Sequence, residues 1–135
     1  MESDSAGWMP PKRVGKGYPK HLPRHGEDWA KTVRGTQGPG KPARYHPDLA
    51  DAEIERLEMS AFTPAQIDSN DDLEIRELTP SPRRNERIFV VTAARVIGAS
   101  QGRETNLVYV IYNQSGPVHG YPVLASELPK AGANP

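Results

Sequence analysis

The apolar positions change rhythm midway along the chain. In GEDWAKTV (26–33), Trp29 and Val33 stand four apart, a narrow stripe of the kind a helix presents. Glu27 and Asp28 sit where a helix N-terminus favours negative charge, and Arg34-Gly35 would close the segment, so a short helix is predicted there. A stronger one should follow His46-Pro47-Asp48. Asp48 suits an N-cap or first-turn acid. Leu49, Ile54, Leu57, Met59 and Phe62 form an apolar face beside Asp51, Glu53, Glu55 and Glu58, and the helix should end near Phe62 to Pro64.

After DSNDD the period moves toward two. LEIREL (73–78) alternates imperfectly, IFVVTAARVIG (88–98) is rich in β-branched residues, and TNLVYVIYN (105–113) is the most strand-like segment of the chain. Gly98 to Glu104 should turn, and QSGPVHG should be a loop leading into a short edge strand in YPVLAS. The order predicts an α+β fold, with N-terminal helices packed on an antiparallel sheet of about four strands. Residues 1–24, with Pro10, Pro11, Pro19 and Pro23 among Gly7, Gly15 and Gly17, should be a flexible basic arm that forms neither helix nor ladder. The single domain would span 25–128, and 129–135 would fray.

Composition narrows the chemistry. Only 36% of the 135 residues are apolar, with 12 glycines and 14 prolines, so the core should be modest. Cysteine is absent, which removes thiol catalysis, disulfides and cysteine-ligated zinc. No apolar run reaches the roughly 20 residues of a membrane helix, and Met1 to Gly17 lacks the apolar centre of a signal peptide; a soluble chain without membrane partners is expected.

The net charge of zero hides a segregation: +5 over residues 1–44, −8 over 45–80 and +3 over 81–135. In the arm, Lys12, Arg13, Lys16, Lys20 and Arg24 alternate with Trp8 and Tyr18, a mixture suited to phosphate contact and base stacking, hence to RNA; a lysine-rich solubilising tail would look the same. The acidic block suits either a basic partner or plain solvation.

Four histidines, His21, His25, His46 and His119, are the side chains able to exchange protons near neutrality. Zinc is a poor fit, because Pro23 interrupts the four-residue spacing of His21 and His25 and no HExxH accompanies them. Acid and base catalysis of RNA cleavage fits better and needs neither metal nor other cofactor. His25, Lys31 and Thr32 could meet His119, Arg95 and Tyr109 if the first helix crosses the sheet. Each also has a plain reading: His25 before a cap, Lys31 solvated, Tyr109 packed, His119 tolerating a turn. No phosphate-binding GxxxxGK[ST], GxGxxG after a strand, deaminase HxE with PCxxC, or GxSxG is present.

Helices followed by about four strands, with this scattered His, Lys, Arg, Thr and Tyr set, resemble the small bacterial ribonuclease toxins grouped around barnase, EndoU, the colicins and RelE. The likeness lies in architecture and covers residues 25–126. It implies metal-independent RNA cleavage, often of tRNA, by a toxin domain delivered into a target-cell cytoplasm and neutralised by a cognate immunity protein. His25, Lys31, Thr32, Arg95, Tyr109 and His119 match the residue types of such sites, whereas the neutral charge departs from these commonly basic nucleases. Two further readings remain. One is a non-catalytic immunity or adaptor module docking through residues 45–80; the other is an ADP-ribosyltransferase toxin, for which only Glu74 and Glu77 hint at paired glutamates.

Overall fold

The computed structural model describes residues 7–15, 19–62 and 73–129; Lys16, Tyr18, Pro64 and the DSNDD stretch lie outside them. The strands are β1 (Lys12–Arg13), β2 (Arg44–Tyr45), β3 (Glu74–Glu77), β4 (Glu86–Thr92), β5 (Gly98–Ser100), β6 (Arg103–Thr105), β7 (Leu107–Asn113) and β8 (Pro117–Val123). The helices are α1 (Trp29–Gly35) and α2 (Asp51–Met59). A five-stranded sheet runs β1-β8-β7-β4-β3 and a three-stranded sheet runs β2-β5-β6.

This corrects the expected α+β architecture of N-terminal helices on a four-stranded sheet: the described chain is mostly sheet, in two sheets, with two short helices. The reasons are local. Lys12 and Arg13, from the proline-rich start, pair in parallel with Pro117 and Val118 of β8, since the prolines beside them do not remove the N–H groups of Lys12 and Val14 that bond to Gly116 and Val118. The expected turn at 98–104 is a hairpin, β5 with β6, whose reversal places both Gln101 (φ 51) and Gly102 (φ 77) in the left-handed region, as a tight hairpin of this hand requires. The expected strand 88–98 therefore divides: β4 leaves the large sheet after Thr92, and Gly98 begins a strand of the small one.

Both helices start where a side chain satisfies an end of the backbone. The Asp28 carboxylate accepts the Lys31 N–H at 3.2 Å at the head of α1. At the head of α2, Glu53 reaches back to the Ala50 N–H at 3.0 Å, so the helix begins later than Asp48, whose own N–H is taken by His46 Nδ1. The apolar face read from the sequence is the one buried: Leu49, Ile54 and Leu57 meet Phe89, Val91, Val108, Val110 and Val118, and Phe62 sets its ring edge against Phe89 and Tyr112.

A second apolar layer, Ile88, Val90, Tyr109, Ile111 and Val123 with Leu78, lies on the opposite face of the same sheet. Covered on both faces, β4 and β7 carry continuous apolar runs instead of an alternation. Trp8 belongs to the first layer, with its ring 5.2 Å from that of Tyr112.

Candidate functional site

Strand β8 builds one side of the site. Val118, Gly120 and Pro122 turn toward the α2 layer, so His119 and Tyr121 emerge together on the other face. Tyr121 is registered opposite Tyr109 of β7, with ring centroids 5.6 Å apart, and His119 stands opposite Ile111. The third component comes from the N-terminal region. A single helical turn, Pro19–His21, lays the His21 imidazole on Tyr121 at 5.0 Å and 22° between planes. His21 Nδ1 lies 2.7 Å from the Ala43 carbonyl, which can only accept, so Nδ1 carries the proton and Nε2 holds the lone pair when the ring is neutral.

His21, Tyr109 and Tyr121 line a cleft of about 320 Å³ together with Lys41, Gln101 and Glu127 among others. Glu127 is fixed on its rim by accepting from Ser100 Oγ at 2.8 Å and the Leu124 N–H at 2.9 Å. His119 lies two residues along the same face of β8 and is in electrostatic reach of His21, Lys20, Arg83 and Glu86; Arg83 and Glu86 pair at 2.6 Å.

Burial governs the protonation states. It lowers the His21 pKa against the opposing Ala43 hydrogen bond, helped by the charges of Lys20, Arg44 and His119. It lowers His119 as well, with Glu86 opposing and Arg83 and Lys20 assisting. It raises Tyr109 and Tyr121, which stay phenols at neutral pH. The resting site holds the neutral His21 imidazole in an aromatic cleft with Lys41, and the neutral His119 imidazole beside it on the same face of β8.

Of the residues singled out from the sequence, Tyr109 lines the cleft and His119 lies outside it on the same sheet face, while His25, Lys31, Thr32 and Arg95 do not line the cleft either. His25 Nδ1 lies 2.7 Å from the Pro47 carbonyl. The Thr32 hydroxyl is buried and donates to Glu27 at 2.6 Å. Lys31 is exposed on α1, a helix held against the small sheet by the Trp29 indole donating to Glu104. Arg95 pairs with Glu53 on the α2 side at 3.2 Å. His119 itself sits within β8, not in a loop before it.

Among the basic residues of the first segment, Lys20 is exposed next to the imidazoles, Lys12 is exposed on β1, and Arg24 pairs with Glu27 at 3.7 Å. Arg13 is half-buried, with its side chain 7% exposed and bonded to Glu58 at 2.9 Å and Asp51 at 3.2 Å, and Lys16 lies outside the described residues.

Sequence reasoning named His21 among the proton-exchanging histidines but left it out of the catalytic set, and passed over Tyr121, Lys41 and Glu127. The signal for Tyr121 was present, since reading the strand from Pro117 puts His119 and Tyr121 on one face by period two. Nothing local marks His21, because its partners Ala43 and Tyr121 are remote in sequence. No protein family, curated protein or solved structure matches this chain.

Proposed function

We propose that the chain is a metal-independent endoribonuclease whose acid–base pair is His21 and His119. The observation that carries the reading is their convergence, from opposite ends of the chain, on one aromatic face beside Lys20. The cleft beside them has room for a nucleotide-sized group, offers tyrosine rings for stacking, and presents Lys41 to a phosphate.

On this reading His21 Nε2 takes the proton of a ribose 2′-hydroxyl as its oxygen attacks the adjacent phosphorus. The bond from phosphorus to the 5′-oxygen breaks, and His119 protonates that oxygen. The products are a 2′,3′-cyclic phosphate and a 5′-hydroxyl, with Lys20 stabilising the charge that gathers on the phosphoryl oxygens. A neutral His21 is the form a base requires. The negative phosphodiester, added to Glu86, favours the imidazolium that His119 needs as acid. A ribonuclease delivered into a target-cell cytoplasm would require a cognate immunity protein in the producing cell, and the cleft is the surface such a protein would have to cover.

Purified protein incubated with total RNA in EDTA provides the test. The reading predicts fragments ending in cyclic phosphate and 5′-hydroxyl, and a loss of about 10²–10⁴-fold in rate for His119→Ala. Intact RNA, a requirement for divalent metal, or ends of the 3′-hydroxyl and 5′-phosphate type would overturn it.

A further inference from the structure

We infer that Glu58, on the far side of the sheet, is the positioning residue that fixes His21 and His119 relative to each other; the catalytic part of this inference rests on the function proposed above. Glu58 is 1% exposed, and each oxygen of its carboxylate leads to one imidazole.

Glu58 Oε2 accepts from the Tyr45 hydroxyl at 2.7 Å. Tyr45 lies two residues beyond Ala43, whose carbonyl holds His21 Nδ1 at 2.7 Å, and between them Arg44 donates to the Leu22 carbonyl at 2.8 Å. Anchoring Tyr45 thus sets the backbone that orients the His21 ring.

Glu58 Oε1 accepts from Arg13 Nε at 2.9 Å, and Arg13 is paired in the sheet with Val118, the residue before His119. The Glu58 stem presses on β8 itself: a Cβ at Gly120, between His119 and Tyr121, would stand 3.1 Å from Glu58 Cγ. Asp51 completes the cluster by accepting from Arg13 at 3.2 Å.

A carboxylate is the group that can do this, because it accepts on both oxygens at once. The amide of glutamine accepts on one oxygen only and carries no charge, so either the Arg13 hydrogen bond is lost or the Tyr45 hydroxyl must reverse from donor to acceptor, and the Arg13 branch loses its ion pair in both cases. Buried ion pairs add little net stability over apolar packing of the same volume, which leaves placement as the main consequence of the cluster.

Tyr45→Phe removes only the His21 branch, and Glu58→Gln disturbs the cluster at its centre. The histidine Cε1–H resonances are followed by NMR through a pH titration of the full chain, and kcat and KM are measured on RNA. In Tyr45→Phe the His21 titration should move by about 0.5 pH units or more while His119 stays. kcat should fall about tenfold with KM unchanged, the size of loss expected when a catalytic group is displaced by less than an ångström. In Glu58→Gln both titrations should move.

Folded variants whose His21 and His119 titrate as in the parent chain would overturn the inference. Coupled movement of both histidines in a protein that leaves RNA intact would uphold Glu58 as the link and sink the nuclease reading instead. Should Glu58→Gln not fold, Tyr45→Phe tests the His21 branch and Arg13→Lys the His119 branch, and a parental titration of both histidines in the two variants overturns the inference.

Discussion

His21 and His119 are bases whose charged forms the fold disfavours, and that has a consequence away from any substrate. Burial lowers both folded-state pKa values below the unfolded value of about 6.5, so between the two values the unfolded chain binds more protons than the folded one. The stability this contributes is complete above about pH 6.5 and is lost as the pH falls toward the folded-state values. Urea midpoints measured from pH 7 to 5 should therefore decline, and His119→Gln should decline less steeply; a midpoint that rises on acidification would contradict the burial of these rings. At this scale the sequence exposed which residue types could act but not which would meet. Tyr109 and His119 are placed together by the two-residue period of neighbouring strands. His25, Thr32 and Arg95 found other partners because α1 lies on the small sheet and Glu53 faces the Arg95 loop.

Strand β8 is the element that the site depends on, and two glycines reveal how closely it is approached. A Cβ on Gly98 would stand 2.6 Å from Pro122 Cγ and 2.8 Å from the Arg44 carbonyl, so a side chain there would force the small sheet away from β8. Gly98→Ala is expected to cost about 3 kcal/mol in urea unfolding. Gly120→Ala meets Glu58 Cγ and the Tyr109 carbonyl at 3.1 Å, a milder conflict expected to cost about 1 kcal/mol, but with larger loss of RNA cleavage because His119 and Tyr121 flank it. Equal costs at the two positions would show that these approaches do not hold the sheets together. The apolar face of α2 and strands β4 and β7 were legible because burial imposes a period. Strands β1, β2, β5 and β6 were not, because two or three residues of edge or hairpin ladder carry too short a pattern to distinguish from a loop.

Across the whole molecule, part of the charge segregated along the sequence is paired by the fold. Arg13 is withdrawn into the cluster with Glu58 and Asp51, while Lys20, Lys41, Arg76 and Arg83 remain exposed on the described surface. Lys20 and Arg83 lie in electrostatic reach of His119, and Lys41 lines the cleft. RNA affinity should fall with added salt, and Lys20→Ala should flatten the logarithmic slope by about 0.7, the share of one phosphate contact on a single strand; an unchanged slope would remove Lys20 from the interface. The expectation of helices on one sheet failed at this scale because the N-terminal segment folds back to supply a strand, an imidazole and an ion pair, contributions that only tertiary structure reveals. The meeting of His21 and His119 depends on that folding back, and the pH–rate profile of RNA cleavage in EDTA reports on it. The profile should be a bell whose two limbs belong to the histidine pair, with His21→Gln removing the acid limb and His119→Gln the alkaline limb. A profile that keeps both limbs in both variants would contradict it.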